Sequence, residues 1–329
     1  MIASLFFITM SCEGLEEQLN EEEEEQEEQT QLETGEGSSP TTGSSVAKSS
    51  DVKVFIFGNS LVVHEVTPEP TEEKKVPHWL SLLAQASGSS FAADGRYGFL
   101  RDYSDFSELS PQWSFASVES LWTNEAEPFA SIGYNRIILT PTNFIQYQSA
   151  MEPYWDDPNT TPISTSLSTI DQISAAYPQV PIMIYAGWAD MDGFGSFPDS
   201  IDLERYYAYE KGDYTDWFID YHDRLLRARP NITIKLIPVG LILAKIFTNQ
   251  LKDLSLLDRY EDDAPHGQAS LYFLASIISY SALFGEQAPS FQAPSTVHES
   301  IRSQYSELAA YIWSELNSFN HDDGSSRVF

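Results

Sequence analysis

Five short apolar runs, each closed by turn-forming or polar residues, most constrain what this chain of 329 residues can fold into. They are Val52–Phe57, Phe91–Ala93, Arg136–Thr140, Pro181–Ala186 and Ile232–Val239, and most are rich in Val, Ile or Phe. Runs of this length with β-branched and aromatic residues predict buried strands. Helical spacing separates and follows them: Val76–Ala86, stopped by Gly88, then Ser164–Ala176, Asp216–Ala228 and Leu241–Asn249. Two more helices are expected, one through Tyr272, Leu274, Ile277 and Leu283 and one over Thr296–Asn317. Asp94–Gly98 reads as a turn-rich loop, and 191–215 as a long acidic and aromatic excursion. Strands alternating with helices predict an α/β fold: a three-layer α/β/α domain on a five-stranded, mostly parallel sheet.

The chain before the first strand has a different character. Ile2–Ser11 is an apolar run too short to span a bilayer, and it ends at Cys12, the single cysteine. An apolar run closed by a small residue and Cys resembles a bacterial lipoprotein signal, which implies lipidation of Cys12 and an exported, membrane-anchored protein on the periplasmic or cell-surface side; an ordinary secretory signal and a secreted protein are the alternative. Residues 13–50 hold twelve Glu and one Lys, and almost nothing apolar. Such a segment buries too little surface to offset ordering entropy and is expected to be a disordered tether. The expected organisation is a signal at 1–12, the tether at 13–50, one domain at 51–318 and a polar, frayed tail at 319–329. The tether supplies −11 of the formal charge of −31, so the remainder is still strongly acidic. That field repels polyanions, which excludes nucleic acid as an expected partner. The membrane is expected to be met only through the lipid.

The first strand ends in Gly58-Asn59-Ser60-Leu61. In open α/β sheets ligands bind at the carboxyl ends of strands, so Ser60 is a candidate nucleophile if a base and oxyanion donors join it. Six histidines compete for the role of base: His64, His78, His222, His266, His298 and His321. Only His266 has an acid three residues before it, Asp263, placed to hold one ring nitrogen. Gly98, through its backbone N–H, and Asn143, through its side-chain amide, are the donor candidates beside the Ser60 N–H. Gly95 is the rival for Gly98.

These residues, Gly58-Asn59-Ser60-Leu61, Gly98, Pro141-Thr142-Asn143-Phe144 and Asp263-Ala264-Pro265-His266, resemble the successive blocks of the SGNH (GDSL-type) hydrolases over about 51–318. Asn59 stands where Asp is more usual, and Phe144 and Pro141 replace an Asp and a Gly of the third block. The resemblance implies a flavodoxin-like fold and a cofactor-free serine esterase with Ser60, His266 and Asp263 as its triad. It also implies an oxyanion site of Ser60, Gly98 and Asn143. No Gly-x-Ser-x-Gly elbow occurs, which argues against an α/β-hydrolase. His64, one turn beyond Ser60, and Trp188, at the end of the fourth strand, are expected substrate contacts. Asp190, Asp192, Asp199 and Asp202 match no calcium loop, and no His/Cys cluster suits zinc. The expected substrate is a small acyl ester, with acetylated polysaccharide as a specific possibility. A lipase or lysophospholipase of the same family and a non-catalytic carbohydrate-binding lipoprotein on the same scaffold are the alternatives.

Overall fold

The computed structural model describes residues 48–65, 71–104, 106, 109–141 and 148–329. The expected signal with Cys12, most of the tether, and Asn143 lie outside the described residues. Five strands form one sheet in the order β2-β1-β3-β4-β5, every neighbouring pair parallel. They are β1 (Asp51–Gly58), β2 (Ser90–Tyr97), β3 (Arg136–Leu139), β4 (Ile182–Tyr185) and β5 (Ile234–Ile237). Parallel strands are covered on both faces, so they read as continuous apolar runs. Phe55, Ile56 and Phe57 of β1, and all of β4, are buried accordingly.

The helices form the two outer layers. Helix α1 (Val76–Ser87) ends at Gly88, whose φ of 74° gives the left-handed stop that glycine adopts without a Cβ penalty. Helix α2 (Pro162–Ala176) starts behind Thr161, whose Oγ1 accepts the Ser164 N–H at 3.1 Å. Helices α3 (Leu203–Lys211) and α4 (Asp213–Ala228) follow β4, and α5 (Val239–Thr248) follows β5. Helix α6 (Ala269–Phe284) is buried over all but its first residue because α1, α5 and α7 (Tyr305–Ser318) pack around it. Its Ser276 and Ser279 hydroxyls donate to carbonyls four residues back, which satisfies them without solvent. No helix among the described residues is long and apolar enough to cross a membrane.

Several boundaries differ from the sequence expectation. β2 continues through Asp94–Tyr97, where a loop was expected. Asp94 is fully buried there, and its carboxylate accepts the Leu121 and Trp122 N–H groups and the Ser120 and Tyr134 hydroxyls. Long-range partners thus override a local turn signal. The 191–215 stretch is not an uninterrupted excursion, since it contains α3, capped by Asp202 and packed on α4 and α5. The expected last helix splits into Glu299–Ser303 and α7. The tail is docked, not frayed. The Arg327 carbonyl accepts the Leu236 N–H at 2.8 Å, and its guanidinium meets Asp223 at 2.5 Å, which covers the outer edge of β5. Ser49, just before the expected domain start, is tied to the end of α6, since its N–H donates to the Phe284 carbonyl at 3.0 Å.

One buried acid supports the rim above β4. Glu210 is fully buried, and its Oε1 accepts the Ala189 N–H at 2.7 Å. Burial pushes its carboxyl up to about 8, against the opposing effect of the Ala189 N–H and the Tyr206 hydroxyl. A carboxyl raised in the folded state binds its proton more tightly folded than unfolded. Its contribution to stability is therefore complete below the ordinary carboxylate range and lost as pH rises to about 8. The expected outcome is that wild type loses melting temperature relative to Glu210→Gln between about pH 5 and 8. Thermal unfolding followed by circular dichroism checks this, and parallel curves for the two proteins contradict it.

Candidate active site

The order of the sheet reverses between β1 and β3, because β2 lies on one side of β1 and all later strands on the other. The carboxyl ends at such a switch point are where a crevice opens. β1 delivers Asn59 and Ser60 there. Asn59 is fully buried and folds the exit turn: its Oδ1 accepts the Leu61 N–H at 3.0 Å, and its carbonyl accepts the Val62 and Val63 N–H groups. An amide oxygen performs this task without placing a charge in the core, which gives Asn a physical rationale here. The turn leaves Ser60 part-exposed, with no acceptor for its N–H and no partner for its hydroxyl among the described residues.

The loop before α6 brings His266 to the same place. Its Nδ1 lies 2.7 Å from Asp262 Oδ2, and its backbone N–H donates to Asp262 Oδ1 at 2.9 Å. The acid that holds the ring is therefore Asp262, four residues before it, and not Asp263. Asp262 also accepts the Ala264 N–H at 3.1 Å, so one carboxylate turns the loop and orients the imidazole. Asp263 is exposed, and its carbonyl accepts the Met191 N–H at 3.0 Å. Burial works to raise the Asp262 carboxyl, but the His266 ring and backbone N–H outweigh it and hold the group below its ordinary value. The arrangement fixes Nδ1 on the carboxylate and leaves Nε2 as the ring's second functional atom.

A cleft of about 510 Å³ collects these groups. Ser60, His64 and His266 line it with Tyr97, Gln112 and Trp113. The His64 and His266 rings stack with centroids 4.0 Å apart and planes 10° from parallel. His64 Nε2 lies 3.4 Å from Glu261 Oε2, an oxygen that Lys74 Nζ holds at 2.5 Å. Burial and the neighbouring His266 push the His64 imidazole below its ordinary value. Trp113 lies across two strand glycines. A Cβ on Gly95 would meet its ring at 2.5 Å, and one on Gly58 at 3.0 Å. Gly95 is thereby a close-approach residue beneath Trp113.

Two other expected roles are also corrected. The Gly98 N–H is not available to an oxyanion, because it donates to the Gly58 carbonyl at 3.0 Å and extends the β1–β2 ladder. β2 runs farther than expected, so Gly98 stands at the end of a strand and not in an open loop. Trp188 is fully buried and does not line the cleft. Its Nε1–H donates to the Pro265 carbonyl at 2.9 Å, one residue before His266, so it supports the loop from behind. Tyr272 also positions the site, since its hydroxyl donates to the Ser60 carbonyl at 2.7 Å. Burial pushes that phenol well above its ordinary value, so it remains a donor. Tyr272, Gln112 and Trp113 carry no motif; only the fold brings them to Ser60.

Among the described residues, His222, Asp223 and His321 group as metal-ligand types do. Arg327 Nη1 already stands 2.5 Å from Asp223 Oδ1 and 3.3 Å from His222 Nδ1, so a cation is built into that cluster. It lies by the amino end of β5, away from Ser60, since the His222 Nε2 meets the Ile234 carbonyl. No family model, curated protein or solved structure matches this chain.

The Asp262–His266 pairing is directly testable. Its ring N–H is expected to give a proton resonance well downfield of the backbone amides, retained in Asp263→Asn and lost in Asp262→Asn. Loss in the Asp263 variant instead would reverse the assignment.

Proposed function

We propose that this protein is a serine esterase of the SGNH type that cleaves small acyl esters. The single observation that carries this reading is the meeting, in one cleft, of Ser60 at the carboxyl end of β1 with His266, whose Nδ1 is held 2.7 Å from Asp262. In the proposed reaction Ser60 Oγ attacks the acyl carbon while His266 Nε2 accepts its proton. Asp262 stabilises the imidazolium, which then protonates the leaving alcohol. Water, deprotonated by the same nitrogen, clears the acyl-enzyme. The Ser60 N–H is the first oxyanion donor, a role it is free to take, and Asn143 is proposed as a second. Gly98 is not proposed for this role.

The walls of the cleft bear on the substrate. Tyr97 is 46% exposed, and beside it the Gln112 carboxamide accepts the Tyr97 N–H at 3.0 Å through Oε1, which leaves its NH₂ as a donor. An aromatic face beside an amide donor suits a hydroxylated alcohol better than an acyl chain. An O-acetylated polysaccharide is therefore preferred over a lipid, and the protein is proposed to act from a lipid-anchored tether beginning at Cys12. The commitment of the Gly98 N–H to Gly58 favours the second reading, a carbohydrate-binding scaffold without catalysis.

The two readings separate on p-nitrophenyl acetate. The esterase reading expects turnover by the wild type and a loss of at least about 10³-fold in Ser60→Ala. It also expects acetylated glycan to be cleaved faster than a long-chain ester. Equal rates for wild type and Ser60→Ala on both an aryl and a glycan acetate would remove the esterase reading and leave the scaffold.

A further inference from the structure

Together with the Cβ–Cγ bond, the Asp262 contact at Nδ1 orients the His266 ring, but it restrains only one edge of it. One hydrogen bond at that edge opposes rocking of the whole side chain about χ1 only weakly, and such rocking carries Nε2 away from its target. General-base catalysis tolerates little of this, because the receiving nitrogen must stay within hydrogen-bond reach of the hydroxyl. A second restraint lies against the face of the ring. His64 stacks on His266 at 4.0 Å with its plane only 10° away. Both side chains are largely withdrawn from solvent, at 16% and 21% exposure.

His64 is itself firmly held. Its backbone N–H donates to the Lys74 carbonyl at 3.1 Å. Its Nε2 faces Glu261, which Lys74 Nζ grips in turn, and the Val63–Lys75 bridge ties this segment to the start of α1. The groups that face the His64 ring are thus Glu261, Lys74, Asp262 and His266, which follow from two loops packed together. Burial and the charge of His266 favour its neutral form, so His266 gains its proton against an uncharged face.

We propose that His64 is a positioning residue for His266, a flat plate that blocks displacement of the base out of its plane while Asp262 holds its edge. The inference rests on the esterase reading of the site. His64 transfers no proton in this role.

The test compares Ala, Leu and Phe at position 64 in the full chain, with p-nitrophenyl acetate as substrate and Ser60→Ala alongside. His64→Ala is expected to lower kcat roughly 10–100-fold with KM within about threefold of wild type, since misplacement acts on the chemical step. His64→Phe, which restores a flat ring, is expected to return kcat to within about threefold. His64→Leu, which fills the space without a plane, is expected to remain as slow as Ala. Wild-type kcat in His64→Ala, rescue by Leu as complete as by Phe, or a change confined to KM would each overturn the proposal. Should the Ala variant not fold, the Phe–Leu comparison decides alone. Activity retained in Ser60→Ala would instead overturn the esterase reading, whatever the variants at 64 do.

Discussion

Five strands that all run the same way leave every carboxyl end on one rim of the sheet, and the candidate site depends on this constraint. Parallel strands need crossover connections that return the chain to the other end of the sheet, so each strand end is followed by a loop before the chain turns back. The exits of β1, β2 and β4 and the loop before α6 consequently gather on that rim. Their mutual bonds convert proximity into a defined geometry. Trp188 after β4 holds the Pro265 carbonyl, the Met191 N–H holds the Asp263 carbonyl, and Tyr272 in α6 holds the Ser60 carbonyl. Three bonds thus link the serine turn, the histidine loop and the exit of β4.

Two buried acids brace the sheet, Asp94 within β2 and Glu210 at the exit of β4, and they differ in how fully they are satisfied. Asp94 accepts three hydrogen bonds from the segment that runs along the outer edge of β2 and a fourth from Tyr134 before β3, so its burial is compensated. Glu210 accepts the Ala189 N–H and the Tyr206 hydroxyl on one oxygen, while its other oxygen has no partner. A buried carboxyl with half its capacity unmet favours the protonated form. The exit of β4 therefore rests on a group whose charge state changes near neutral pH.

The fold was legible in the sequence because its signal is local. Short runs such as Arg136–Leu139 and Ile182–Tyr185 carry the strand pattern within themselves, and Gly88 marks its own helix end. Ser60 and His266 as candidates for one cleft were legible too, since a hydroxyl after a strand and a histidine after an acid are short-range features. The partner acid was not. Asp262 and Asp263 are adjacent, and only the loop's hydrogen bonds select between spacings of three and four residues. β2 was cut short because Asp94 and Gly95 are locally turn-forming, whereas their roles are to receive a distant loop and to admit Trp113. Trp188 was misassigned because a large aromatic at a strand end gives no indication of which way its ring turns.

On the proposed esterase reading, Ser60 is a nucleophile activated by His266 and Asp262. Its most direct measurement is covalent labelling with a fluorophosphonate, located by mass spectrometry of the digested chain. One phosphonylated residue is expected, Ser60, modified quickly in the wild type and far more slowly in His266→Ala. Labelling spread over surface hydroxyls, or a Ser60 adduct formed equally fast without His266, would contradict it.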